Sequence, residues 1–518
     1  MYLSYDKKNG VEYAKICIGK RVDGKVTITQ TSLGRVIDKE KHVFHNRARG
    51  FFTYDVETDS YGEVDISNMP TIKRKNTKEK AILSFGDAWF LDWFIKEINM
   101  YDAIGALKYG NADSVRAMVM FYILSNMANC YAEEWLEDSY AHILYPNANL
   151  SSQRVSDLLE AIGDETSYRS FFHRYFLDVV NKNQEGEDIL IDSTGLPNSI
   201  HFPLTAISNH NGKISNEVRL IYVVQRESNL PLYFRYIPGN VIDVSTLSRT
   251  IKELKAYNVD TKFAILDAGY LTEVNTKELY DNDISFISRL PEKTNLYKKL
   301  VAELASKLED EKNLVEYNGR YVYLIKTKVL LCGSESRILS DDEVVDSKEG
   351  NIAYAYLGRD IEMQNIESSK IFDNAKSYGY STEELHRIRM IKGLFVLYSS
   401  RPIKVDEILA KYYARQQIEQ VFDLCKNNTK MLPLRTQTEE TFRGHLVLAF
   451  IASVIVKVLQ EKLKNTKMNP KGVFFSLGNQ RCKVFDDRVI TCEFTRKSND
   501  LLKFFKLKCP TEIATSNC

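Results

Sequence analysis

Alternating apolar and polar positions dominate the first 70 or so residues. The run VEYAKIC at 11–17, the turn pair Asp23-Gly24 and the run KVTITQT at 25–31 predict a β-hairpin. A polar, basic stretch beginning at Pro70 (PTIKRKNTKEK) follows. From Ala81 to about Asn183 the spacing becomes helical: Trp89 and Trp93 lie four apart beside Phe90 and Phe94, and Ala112–Leu144 holds few breakers. The segment LSSQRVSDLLEAIG (Leu150–Gly163) opens on serine caps and ends at glycine, which predicts a short helix. From Asp188 strands return. EDILIDSTG predicts a strand ending at Asp192, and RLIYVVQ (219–225) and PLYFRYIPG (231–239) predict two more. A helix over Asp243–Ala256, a strand in TKFAILDAGY ending near Asp267, a helix over Glu273–Tyr280 and a strand at 284–290 complete the run.

Three strands, helix, strand, helix, strand is the order of a ribonuclease H-like core, a mixed sheet flanked by helices. Residues 291–390 interrupt it with a lysine-rich helix, the strands RYVYLIKTKVLL and IAYAYLG and an acidic loop, which together read as a mainly β insertion. The strand GLFVLYSS (393–400), a helix over 412–426 and an apolar helix over 443–463 then close the core. The expected fold class is therefore α/β, with a β-hairpin region and a helical region ahead of the interrupted core. The expected organisation is 1–80 strand-rich with its basic linker, 81–183 helical, 184–290 core, 291–390 insertion, 391–465 core, and 466–518 a small helix–strand–helix appendage.

At 518 residues and 44% hydrophobic content, several structural units and a sizeable core are expected. A net charge of +1 means that a nucleic-acid partner has to be argued from local charge separation. Such separation exists. Nine Lys or Arg against four acids lie between Arg387 and Lys430, and Lys73-Arg74-Lys75 with Lys78 and Lys80 form a second basic cluster. Acidic stretches at Glu133–Asp138 and Asp341–Glu349 offset them. The eight cysteines contain no CxxC pair, and the four nearest the end (Cys482, Cys492, Cys509, Cys518) fit no zinc spacing, so reduced thiols are expected. The N-terminus MYLSYDKKNG has no apolar signal core, and the apolar run Leu446–Val456 is too short to cross a bilayer; a cytosolic chain is expected.

The chemistry is carried by Tyr412-x2-Arg415-x3-Glu419-x6-Lys426. On one continuous helix these four fall within roughly 60° of a single face along about 21 Å, a row suited to a chain of phosphates with a cation near its middle. A solvated, salt-bridged helix face reads the same way. Asp192 and Asp267 follow buried apolar runs, and in a ribonuclease H-like sheet those strands are neighbours, so their carboxylates converge and the helix can bring Glu419 to them. Clustered carboxylates repel one another, and hard divalent cations such as Mg²⁺ or Mn²⁺ relieve that. Taken singly, Asp192 could open an Asx turn, Asp267 could cap a turn, and Asp243 is best read as an N-cap.

These residues together resemble the DDE transposases of the insertion-sequence-four superfamily, whose signature is a Tyr-Arg-Glu-Lys helix. The match runs over about residues 185–465: Asp192 in ILIDSTGLPNS, Asp267 in LDAGYLTEVN, Ser288-Arg289, the four-residue helix, and GHLVLAFIA after Arg443. The resemblance implies that Asp192, Asp267 and Glu419 are catalytic and hold two Mg²⁺ (or Mn²⁺) ions. It implies that Tyr412, Arg415, Lys426 and Arg289 contact DNA, and that residues 81–183 bind element ends, where Ser151, Ser152, Gln153 and Arg154 could read DNA as in a helix-turn-helix or could equally cap a core helix. The implied activity is cut-and-paste transposition: binding of terminal inverted repeats, cleavage, and joining of 3′-hydroxyls to target DNA, by a homodimer in a synaptic complex. The implied setting is a prokaryotic cytoplasm, on the nucleoid when DNA is bound. A metal-dependent nuclease without strand transfer and a non-catalytic, domesticated DNA-binding protein are the alternatives. No GxxxxGK[ST], HExxH or GxSxG motif is present.

Overall fold

The computed structural model describes all residues except 9–10, 23–24, 66–78, 182–187, 199–203, 211–212, 241–245, 258, 260–261, 333–334, 341–342, 344–349, 435 and 515–518. The turn pair Asp23-Gly24, the basic stretch from Pro70 to residue 78, Asp243, most of the acidic stretch Asp341–Glu349, and Cys518 lie outside the described residues. The chain forms two compact units, Met1–Asn76 and Thr77–Cys518.

The first unit is an antiparallel meander of β1 (Tyr2–Lys8), β2 (Val11–Val22), β3 (Lys25–Asp38), β4 (Val43–Asn46), β5 (Gly50–Asp55) and β6 (Ser60–Glu63), paired in chain order. The expected hairpin is β2–β3, whose ladder ends at the pair Val22–Lys25. Alternate residues point inward to a small core of Ala14, Ile16, Leu33, Phe44, Phe52 and Tyr54. The register shifts between Ala14 and Lys15, leaving Leu33 as the extra residue of a bulge on β3 beside Gly34, whose φ of 101° and tight approach to the His45 carbonyl suit no side chain.

The second unit opens with β7 (Ala81–Ser84) and a set of helices. The stretch Ala112–Leu144 is not one long helix: Ala112–Leu124 ends at Ser125, and Ala132–Asp138 and Ala141–Leu144 are separate short helices. The helix Ser152–Gly163 buries Val155, Leu158, Leu159 and Ile162 against the apolar helix Glu439–Lys462. The two backbones approach through paired glycines. A Cβ on Gly163 would collide with the Glu440 carbonyl, and one on Gly444 with the Leu159 carbonyl. Glu439–Lys462 is apolar and long enough to cross a membrane by composition, but it is the central buried helix of this unit.

One mixed sheet follows. It contains β8 (Asp188–Pro197), β9 (Ala206–His210), β10 (Lys213–Gln225), β11 (Pro231–Pro238), β12 (Phe263–Leu266), β13 (Ser285–Arg289), β14 (Leu314–Tyr317), β15 (Arg320–Cys332), β16 (Glu335–Leu339), β17 (Asn351–Asp360) and β18 (Leu394–Ser399). The order is β11-β10-β8-β12-β13-β18-β17-β15-β14, with β9 on β10 and β16 on β15. The β11-β10-β8-β12-β13 portion is the expected ribonuclease H-like core: three antiparallel strands, then β12 parallel to β8 and β13 parallel to β12 through the crossover helix Glu273–Asp281. All four residues of β12 are buried, as a strand covered on both faces requires.

The block 291–390 is more mixed than its strand signals suggest. Its strands extend the same sheet through β18, and it also carries the helices Asn295–Leu304, Ile361–Tyr378 and Thr382–Met390. The tail folds back. Its strands β19 (Arg481–Val484), β20 (Arg488–Thr491) and β21 (Glu512–Ala514) join β7 in a four-stranded sheet, so residues 466–518 complete the helical region.

Candidate active site

Asp192 does not end its strand. β8 continues to Pro197 because β10 pairs with it throughout, Asp192 lying opposite Tyr222. What ends is the parallel ladder on the other side, at Leu266–Ile191, so Asp192 is the first β8 residue free of β12. Asp267 directly follows β12 and precedes a single 3₁₀ turn over Ala268–Tyr270, to which its side chain gives no capping bond. Two adjacent parallel strands therefore present carboxylates at the same edge. The Ser288 hydroxyl on β13 donates to the Asp267 carbonyl at 3.1 Å and fixes that backbone.

The Tyr412–Lys426 segment is two helices rather than the one expected. Val405–Tyr413 ends, Ala414 (φ −53°, ψ −21°) and Arg415 (φ −54°, ψ −29°) form a 3₁₀-like turn, and Gln416–Asn428 begins. The N–H groups of Arg415, Gln417 and Ile418 each donate to the carbonyl three residues earlier, at 3.0–3.1 Å. At three residues per turn, residues three apart eclipse, so the turn brings Arg415 into line with Tyr412 where a regular helix would leave them about 60° apart.

Arg415 lies among all three acids. Its Nη1 is 2.8 Å from Asp192 Oδ2 and 3.0 Å from Asp267 Oδ1, and its Nη2 is 3.8 Å from Glu419 Oε1. Asp192 is the deepest, with 11% of its side chain exposed, against 40% for Asp267 and 59% for Glu419. Burial pushes the Asp192 carboxyl up to about 6; the Arg415 charge opposes that, while Asp267 and Glu419 add to it. Among the described residues no three acids, histidines or cysteines stand ready around an ion as they are. The donor chemistry nonetheless fits hard divalent ions, because three carboxylates from separate elements converge on one cationic group.

The remaining expected residues surround this point unequally. Lys426 donates from Nζ to Thr194 Oγ1 at 2.6 Å, two residues along β8 from Asp192. Arg289 is exposed at the end of β13. Tyr412 is only 5% exposed, so its ring packs into the core, and burial pushes its phenol up to about 12. On the helix Ser152–Gly163, Gln153 and Arg154 both bond Asp157, and Ser151 makes no capping bond. The outer face of that helix is polar and exposed, its inner face core.

Sequence reasoning missed Glu217. It lies on β10 opposite Pro197 and is 5% exposed. Its carboxylate covers Gly195, where a Cβ would collide with Oε2. The available signal is weak: an acid placed on the strand that leads into the apolar run at 218–224.

With this geometry in place, comparison with known proteins is decisive on one point. A family profile described as a transposase DDE domain matches residues 183–455, more than half of the chain. The chain belongs to the DDE-domain transposases. The matched span of this transposase runs from just ahead of β8 into the helix Glu439–Lys462 and contains Asp192, Asp267 and Glu419. Among solved structures, a cryo-EM structure of a piggyBac transposase synaptic complex with hairpin DNA aligns at a TM-score of 0.39 and 12% identity, over 78% of this chain and 82% of that chain. No curated protein matches the transposase.

Proposed function

We propose that this DDE transposase serves an insertion sequence of the insertion-sequence-four type. In this reading it binds the inverted repeats at the element's ends, cleaves there, and joins the freed 3′-hydroxyls to target DNA. Two ends have to be held together before cutting, so the working form is a homodimer on DNA in the cytoplasm. The observation that supports this best is the convergence of Asp192, Asp267 and Glu419 on one guanidinium at the edge of two parallel strands, in a chain of this family.

Asp192, Asp267 and Glu419 would hold two Mg²⁺ or Mn²⁺ ions. Such ions activate the attacking oxygen and stabilise the leaving oxygen in displacement at phosphorus. The chain's own residues orient the strand. Lys426, beside Asp192 on the Thr194 hydroxyl, offers an ammonium to the backbone, and exposed Arg289 offers a fork that matches phosphate. Tyr412 would hold the turn that carries Arg415 from below, a supporting place rather than a surface one.

The test is strand transfer. Pre-cut duplexes taken from the DNA flanking the coding sequence are incubated with plasmid and Mg²⁺. The wild-type protein is expected to join them, and Asp267→Asn to bind them without joining. Cutting with no joined product would assign a nuclease instead.

A further inference from the structure

We propose that Arg415 occupies the ion's place among the three carboxylates in the ion-free protein, and that the phosphates of bound DNA draw it away, so that DNA binding opens the acid cluster to divalent ions. The inference rests on the reading of that cluster as an ion site.

Three observations carry it. First, Arg415 is the one cation within ion-pair distance of Asp192, Asp267 and Glu419 among the described residues, and it touches all three. Three like charges this close repel one another, and the guanidinium relieves that repulsion while filling the space that an ion needs. One positive charge against three carboxylates leaves the cluster net negative and still attractive to a divalent ion.

Second, the side chain is free to leave. It is 23% exposed, and its backbone forms the 3₁₀-like turn between two helices, the kind of irregularity that accompanies hinges. A change of rotamer takes it to solvent without disturbing the buried anchors on either side, Tyr412 and Ile418.

Third, an alternative partner for the guanidinium is at hand in the bound state. Lys426 rests on Thr194, two residues along β8 from Asp192, and Arg289 ends β13, the strand parallel to the one that Asp267 follows, so both offer phosphate contacts on the elements beside the acids. A planar fork prefers a phosphate's paired oxygens to three divergent carboxylates, each held through one contact. By linkage, whatever factor DNA adds to ion affinity, ions add to DNA affinity. The free protein would thus bind ions weakly, and its hydrolytic chemistry would be confined to DNA.

The experiment is calorimetric titration with Mn²⁺ on the full chain, with and without a pre-cut end duplex and in the absence of target DNA. For the wild type, DNA is expected to tighten Mn²⁺ binding about tenfold or more, within the usual range of coupling between sites. Arg415→Gln is expected to bind Mn²⁺ without DNA about as tightly as the wild type binds it on DNA, and to gain less than roughly threefold from the duplex. Arg415→Lys, whose point-like ammonium cannot fork across the three acids, should fall between them and gives a second folded reference. Lys503→Gln removes an exposed charge on the helix Arg496–Phe504 that pairs with Asp500 and should keep the full gain from DNA. The proposal is overturned if Arg415→Gln shows the wild-type gain, if it binds Mn²⁺ more weakly than the wild type in the free state, or if Lys503→Gln loses the gain as completely. A wild-type protein that binds no Mn²⁺ in either state removes the ion site itself, and this inference with it.

Discussion

A single guanidinium shared by three carboxylates makes Arg415 the residue on which the site turns, and its neighbours differ from it in kind. Lys426 contacts no acid directly; its ammonium rests on Thr194, and in the proposed function it is offered to the DNA backbone. Lys426→Ala is therefore expected to weaken DNA binding for all sequences alike and to lower the salt slope by about one, measured as log affinity against log salt. An unchanged slope removes Lys426 from the interface. Lys430 titrates for a different reason. Its Nζ donates to the Met127 carbonyl at 2.6 Å and sits 3.1 Å from the centre of the Phe121 ring. Burial pulls it down from 10.5 to about 7. Between those values the unfolded chain binds the proton and the folded chain does not, so this residue makes stability rise with pH across that window. Lys430→Met should flatten the rise, read from urea midpoints at a series of pH values; an undiminished rise contradicts the assignment.

Among the elements, the glycine pair brings the helices Ser152–Gly163 and Glu439–Lys462 into backbone contact. Gly444→Ala forces a Cβ against the Leu159 carbonyl on the facing helix. It should cost about 3 kcal/mol, seen as a lower urea midpoint, with the neighbouring exposed site Arg154→Ala changing little. A midpoint equal to the wild type would mean that the two helices move apart freely. Elements also differ in how far the chain's own pattern announces them. Ile189–Ile191 and Phe263–Leu266 are legible as buried strands because each is an unbroken apolar run, too short for a helix, that stops at a lone acid. Asp192 reads as a strand end because the continuation through Ser-Thr-Gly is polar. Its partner β10 holds that segment in the sheet, which local propensity does not reveal. The turn at Ala414–Arg415 is illegible for a similar reason. Neither residue breaks helices, and the tightening accompanies an Arg415 side chain that reaches acids far back in the chain. Glu217 stays hidden because its meaning depends on Gly195 across the ladder.

Across the whole molecule, the mixed sheet is assembled from segments on both sides of the 291–390 block, and that block lengthens the same sheet through β18 rather than standing apart from it. The tail closes on β7, so the helical region is completed by the end of the chain. Both features bind distant sequence into one frame. The three acids, from β8, the end of β12 and the helix Gln416–Asn428, are held by that frame more than by their own elements, and so should act as one ion-dependent unit on DNA. Single-turnover cleavage of a flanking-DNA duplex with Mg²⁺ by Asp192→Asn, Asp267→Asn and Glu419→Gln, with DNA affinity measured on the same samples, decides whether they do. Each variant is expected to lose on the order of 10³-fold or more in rate, as members of a unit do, while binding DNA within about threefold of the wild type. Any one of the three cutting at close to the wild-type rate would contradict a shared ion site.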